Sequence, residues 1–160
     1  MAIHVGSAKL NAITALLAFC LPERETHPLL YRRTLTLLDM LGNSEAWPLA
    51  YLRWELALLD EMGFGLDLTV CAVTGEIDDL AYVSPRTGRA VSVAGAGAWA
   101  EKLLPLPASL LGHGEGDPAD IREGLVTTGF FLSKWLAPEL GERPLPAARQ
   151  RFVDAMARYS

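Results

Sequence analysis

Between Asp117 and Leu136, apolar side chains fall on nearly every face of a helical wheel: Ile121, Leu125, Val126, Phe130, Phe131, Leu132, Trp135 and Leu136. A helix with so little polar surface must be surrounded by other elements, so this segment predicts the central, most buried helix of a mainly α fold. Asp117 and Pro118 supply its start: a capping carboxylate, then a proline in the first turn, where its missing N–H costs nothing. The rest of the chain can provide the surroundings. Of its 160 residues 51% are hydrophobic and 21% charged, which excludes a disordered tail and fits one domain, or one domain with a small appendage.

Three further helices are legible before the middle of the chain. The first is expected from an N-cap near Ser7, through Leu10, Ile13, Leu16, Leu17 and Cys20, to a stop at Pro22. Pro28 opens a second, with Leu30, Leu35, Leu37, Leu38 and Leu41 as apolar residues and Gly42-Asn43 at its end. A third runs from about Pro48 to Met62, closed by Gly63 and Gly65. Short connections between them imply an antiparallel bundle. From Leu66 to Val93 the helical period is lost. There, Leu80–Ser84 and Arg89–Val93 predict a small hairpin across Pro85-Arg-Thr-Gly88, as a compact insert rather than a second core. Ala98–Leu104 and Pro107–Leu111 read as short helical pieces, and Gly112–Gly116 as a loop. Pro144 and Pro146 precede a last helix from Ala147 to about Tyr159. The expected division is 1–65 and 97–160 for the two parts of the helical bundle and 66–96 for the β-hairpin insert.

No apolar run reaches the roughly 18–20 residues of a membrane span, and the first residues lack the basic and apolar stretches of a secretory signal. Two cysteines without framework spacing, Cys20 and Cys71, predict reduced thiols and a cytoplasmic protein. The formal net charge of −5 is not that of a chain that grips phosphates over its whole surface. Any DNA contact has to come from a local basic face or a separate domain.

Several side chains are candidates for binding. Arg53 lies mid-helix, with Asp60 and Glu61 about two turns on, and a guanidinium can anchor a partner's carboxylate through two parallel hydrogen bonds. Arg143, Arg149, Arg151 and Arg158 make the last segment locally positive against Glu142 and Asp154, which suits an acidic peptide or DNA. Arg86 and Arg89 at the hairpin form a second basic pair, and Arg32-Arg33 a third. The alternative for each is an ion-paired or solvated exterior. Trp47, Trp54, Trp99, Trp135, Phe130 and Phe131 either line a groove for a partner's aromatic residue or, the commoner case, fill the core.

Catalytic chemistry finds no constellation. His113 near Ser109 lacks the strand and G-x-S-x-G elbow of a nucleophile, so its glycine-rich surroundings read as a linker. His4 and His27 have no neighbours at metal-ligand spacing, and Glu76, Asp78 and Asp79 read as a solvated turn.

The stretch Tyr51-Leu-Arg-Trp-Glu-Leu-Ala-Leu-Leu-Asp-Glu-Met-Gly-Phe-Gly-Leu-Asp-Leu68 closely resembles the signature helix and loop of the RecO family. Cys71-Ala-Val-Thr-Gly75, Leu80-Ala-Tyr-Val-Ser-Pro-Arg-Thr-Gly-Arg-Ala-Val-Ser92 and Leu103-Leu-Pro-Leu-Pro107 follow in the order found in its alphaproteobacterial members. Leu21-Pro-Glu-Arg-Glu-Thr-His-Pro28 and Pro144-Leu-Pro-Ala-Ala-Arg149 agree too, so the likeness covers nearly everything from residue 7 on. It implies a recombination mediator in DNA repair, associated with the nucleoid. Such a protein binds RecR and the acidic, aromatic-ended tail of single-strand-binding protein, and helps load the recombinase on single-stranded DNA, with no chemical step of its own.

Two departures from the family pattern shape the expectations. Family members open with an OB-fold barrel, whereas this sequence opens almost directly in helix one; the expectation is a helical part without the barrel, by truncation or by nature, binding DNA weakly if at all. The alternative is a barrel-less scaffold or oligomerisation domain without repair activity. The zinc site that many members carry as two C-x-x-C pairs would fall on Cys71, Thr74, Ser92 and Gly95, which leaves one thiolate of four. No zinc is expected, the insert folding instead on Leu80, Tyr82, Val83, Val91 and Val93.

Overall fold

The computed structural model describes residues 2–21, 25–114 and 116–158, with side chains from residue 6 onward. Helix α1 runs Ala2–Cys20, α2 Pro28–Asp39 and α3 Trp47–Glu61. The expected N-cap at Ser7 is corrected: no proline or turn precedes it, the backbone is already helical from Ala2, and Ser7 sits exposed inside α1. The expected stop at Pro22, the side chain of His4, Glu115 of the glycine-rich loop and the terminus near Tyr159 lie outside the described residues. Helix α2 ends two residues before Leu41, the last leucine of its pattern, at a Met40 cap whose N–H bonds to Leu37 O at 3.1 Å. Before α3, Asn43 Oδ1 accepts the Ala46 N–H at 3.1 Å, and Pro48 occupies the first turn.

In the middle, β1 (Leu80–Val83) and β2 (Ala90–Ser92) form the predicted antiparallel hairpin, with Val83 opposite Ala90 and a bulge between Leu80 and Tyr82. Gly88 takes φ +69° in the turn, a conformation that favours glycine, and an added Cβ would press on Leu66 and the Trp135 ring at 3.2 Å. A third strand, β3 (Leu104–Pro105), pairs with the other edge of β1 and gives the order β2-β1-β3. The sequence did not signal it: two residues are too few to show alternation, and the helical reading of 98–104 took in Leu104. In that stretch a short helix α4 (Val93–Ala96) is followed by a 3-10 turn, Gly97–Lys102. Val93 is therefore no strand residue, and at 58% exposure it packs in no core.

Asp117 caps α5 (Pro118–Phe131) as expected, its side chain accepting the Ala119 N–H. The helix continues through a π turn, Leu132–Leu136, and a short α6, Ala137–Glu139; α7 spans Ala147–Arg158. Helix α5 does lie at the centre, against α3 on one side and strand β3, a 3-10 turn at Ala108–Leu111 and α7 on others, while α1 packs mainly along α7. Val126 departs from its predicted burial, at 59% exposed. The main core takes Ile13 and Leu16 from α1, Leu52, Leu58 and Leu59 from α3, Ile121, Leu125 and Phe131 from α5, and Leu132 from the π turn. Val83 and Ala90 belong to it as well, so the hairpin is docked on the bundle. Cys71, Val91 and Ala96 form a small separate cluster within the insert. Among the described residues no helix is long and apolar enough to cross a membrane.

Candidate partner-binding site

Helix α3 presents two faces with different chemistry. On the inner face Tyr51, Leu52, Glu55, Leu58 and Leu59 repeat at helical spacing, and Glu55 is completely buried among them. A carboxylate there needs a cation, and α7 supplies one: Arg149 donates from Nε to Glu55 Oε2 at 2.7 Å and from a terminal nitrogen to Oε1 at 2.9 Å. Tyr51 donates its hydroxyl to the same carboxylate at 2.6 Å, Thr128 of α5 donates at 2.7 Å, and Arg149 also reaches Leu125 O at 2.9 Å. Burial alone would depress the Arg149 pKa, but the charge and hydrogen bonds of Glu55 outweigh it and leave it raised. Burial first, and Glu55 second, hold the Tyr51 hydroxyl well above its ordinary value and push the Cys20 thiol up to about 12.

This overturns one expectation. Arg149 cannot anchor a partner, because its guanidinium is consumed inside the protein and the residue is only 6% exposed. Glu55 was overlooked, although its place as a lone carboxylate on an apolar helical stripe was readable.

The outer face of α3 is different. Arg53 is exposed and lines a groove of about 700 Å³ between α2 and α3, whose floor includes Leu37, Met40, Trp54, Leu56 and Leu66. Arg33 of α2 lines the same groove, and so does Asp60. Glu61, expected near Arg53, instead lies with its carboxylate 3.0 Å from His27 Nδ1 and ties α3 to the start of α2. A second groove, of about 660 Å³ along α1 and α2, is lined by Leu17, Leu21, Tyr31, Leu35 and Leu38 but carries Glu25 where the first carries arginines.

The C-terminal arginines do not form one patch. Arg143 lies against the end of α1, its guanidinium 5.0 Å from the Phe19 ring centroid and bonded to Phe19 O at 3.4 Å. Only Arg151 and Arg158 remain exposed on α7, seven residues apart on one face. Arg86 and Arg89 are exposed at the hairpin turn, and Arg89 also bridges to the Asp67 segment. Of the aromatic residues, Trp47, Trp54 and Phe131 are core residues, Phe130 and Trp135 are half-buried, and Trp99 is 64% exposed with Lys102 Nζ 4.9 Å from its ring centroid. His113 is exposed while Ser109 is buried, so the two do not make a nucleophile and base.

Cys71, Thr74, Ser92 and Gly95 do come together. Cys71 Sγ accepts the Ser92 N–H at 3.2 Å and the Thr74 N–H at 3.4 Å. Burial acts to raise this thiol, yet the hydrogen bonds from Ser92 and Thr74 outweigh it and bring it to about 6. The donor set does not suit zinc: it offers one thiol, two hydroxyls and a glycine, and both hydroxyls already accept backbone N–H groups, Thr74 from Glu76 and Ser92 from Gly95.

Comparison with known proteins agrees with this architecture. The family described as Recombination protein O C terminal matches residues 6–144. A protein of Roseobacter denitrificans named DNA repair protein RecO is 58% identical over 158 residues, covering 99% of this chain and 66% of the relative. Proteins of the same name from Ruegeria sp. TM1040 and Jannaschia sp. CCS1 are each 59% identical over 155 residues, covering 97% of this chain and 64% and 63% of the relatives. The chain thus spans just under two thirds of the length of these relatives. No solved structure matches it. With the signature helix and the insert inside the family match, and relatives that cover nearly the whole chain, the chain belongs to the RecO family.

Proposed function

We propose that this chain is the partner-binding helical part of a recombination mediator in DNA repair. It holds the acidic, aromatic-ended tail of single-strand-binding protein in the α2–α3 groove and, with RecR, helps place the recombinase on single-stranded DNA. It performs no chemical step. Family membership supports the setting, and the relatives carry the name DNA repair protein. The observation that carries the site is the pairing of Arg33 and Arg53 with an apolar floor in one open groove. A terminal aromatic side chain would sit on the floor while the guanidiniums hold carboxylates. The second groove, with Glu25 at its edge, would repel the same tail. Arg86 and Arg89 offer a further, weak contact for single-stranded DNA.

The test is titration of a labelled acidic peptide ending in phenylalanine onto the purified chain, followed by fluorescence anisotropy. Saturable, salt-sensitive binding is expected, weakened about tenfold by Arg53→Ala. Asp60→Asn, which removes a like charge from the groove, should tighten it. Absence of saturation, or indifference to Arg53→Ala, would end this reading.

A further inference from the structure

We infer that the insert of this chain is closed by a sulfur-centred hydrogen-bond staple and has no room for a metal: the Cys71 sulfur, at one of the four positions where zinc ligands would stand, accepts an amide from each of the two turns, beside the backbone bond from Ala72 N–H to Ala90 O at 2.8 Å. The first turn, 71–74, folds back so that Thr74 N–H reaches Cys71 Sγ at 3.4 Å. The second, 92–95, repeats the arrangement with a hydroxyl, Gly95 N–H reaching Ser92 Oγ at 3.0 Å. What links the turns is the Ser92 N–H, which donates to the same Cys71 sulfur at 3.2 Å across 21 positions of sequence. The sulfur is thus shared between both turns, and Cys71 is 1% exposed at the centre of the small cluster with Val91 and Ala96. Sulfur is a weak acceptor, but a buried amide left unpaired costs more than a weak bond gains.

The spacing shows that the turns have closed past the separation a metal imposes. Zinc–sulfur bonds of about 2.3 Å hold two thiolates roughly 3.8 Å apart on a tetrahedral ion. Here a Cβ placed on Gly95 would already lie 2.8 Å from Cys71 Sγ, 3.2 Å from Ser92 Oγ and 3.2 Å from Val73 Cβ, before any ligand atom is added. Glycine at 95 is what lets the second turn come this close. The region therefore keeps the two-turn layout while replacing coordination by hydrogen bonding and contact.

Two measurements on the full chain test this. The first is metal content after incubation with zinc and dialysis, with thermal melts in the presence and absence of a chelator. Fewer than about 0.1 zinc per chain and superimposable melts are expected. The second is amide exchange of Cys71→Ala, which should quicken about tenfold at Ser92 and Thr74 while α3 and α5 keep their protection. Near one zinc per chain retained through dialysis, a melt lowered by the chelator, or unchanged exchange in Cys71→Ala would each overturn the inference.

Discussion

Removing the charge from Glu55 leaves the Arg149 guanidinium buried without its counter-ion, whereas removing both groups leaves an apolar gap. Glu55→Gln or Arg149→Leu alone should therefore cost about 3–5 kcal/mol, and Glu55→Leu combined with Arg149→Met much less than the sum, as read from urea denaturation midpoints. The same logic explains why Arg149 is a poor candidate for partner contact: a loss of binding on its replacement would follow from unfolding. Lys9 poses a milder problem. It is 4% exposed, with its ammonium 5.1 Å from the Trp47 ring centroid, and burial lowers its pKa below 10.5. The unfolded chain then binds that proton more tightly, so this residue's contribution improves as pH rises towards 10.5. Lys9→Met should melt higher than the parent near pH 7, with the difference shrinking by about pH 10.

Close approach of α3 and α5 rests on Gly124, where an added Cβ would lie 2.6 Å from one methyl of Leu52 and 3.1 Å from the other. Leu52 is wholly buried, so shifting its methyls means displacing packed neighbours. Gly124→Ala gains about 1 kcal/mol of helix propensity, but overpacking of about 1–3 kcal/mol outweighs it, so a lower urea midpoint is expected. The hairpin is tied to the bundle through the π turn, whose Trp135 donates from Nε1 to Pro85 O at 3.2 Å. Trp135→Phe keeps a ring over Gly88 and deletes that bond. Hydrogen exchange should quicken by several-fold at Ser84 and Gly88, roughly the loss of one half-buried hydrogen bond, and stay unchanged in α1.

Across the whole molecule the two ends of the chain depend on each other. Helix α7 lies along α1, supplies Arg149 to Glu55 and sends Phe152 against Trp47 and Tyr51, at ring-centroid distances of 5.3 and 4.6 Å. A chain ending at residue 146 would lose all three at once. It should melt without a cooperative transition by circular dichroism, where the full chain shows one. The groove of α2 and α3 and the hairpin turn lie outside this seam, so they can meet partners without disturbing it. A net charge of −5 on the whole chain opposes an acidic ligand over most of the surface, so the proposed tail contact depends on local cations such as Arg33 and Arg53.

Much of the architecture followed from the sequence alone. Pro28, Pro48 and Asp117-Pro118 marked helix starts to within a residue, the apolar run from Ile121 marked the centre, and Pro85–Gly88 marked the hairpin turn, because these signals act through neighbouring residues. The signature around Tyr51–Leu68 likewise placed the family. Burial and partnership had to wait for the tertiary structure. Arginines 143, 149, 151 and 158 look alike along the chain, yet one is sealed against Glu55, one rests on Phe19 and two face solvent, since each fate depends on a residue up to 124 positions away. Strand β3 and the shared sulfur of Cys71 were hidden for the same reason: a two-residue strand and a bond spanning 21 residues leave no local pattern, and only the packed chain brings their partners within reach.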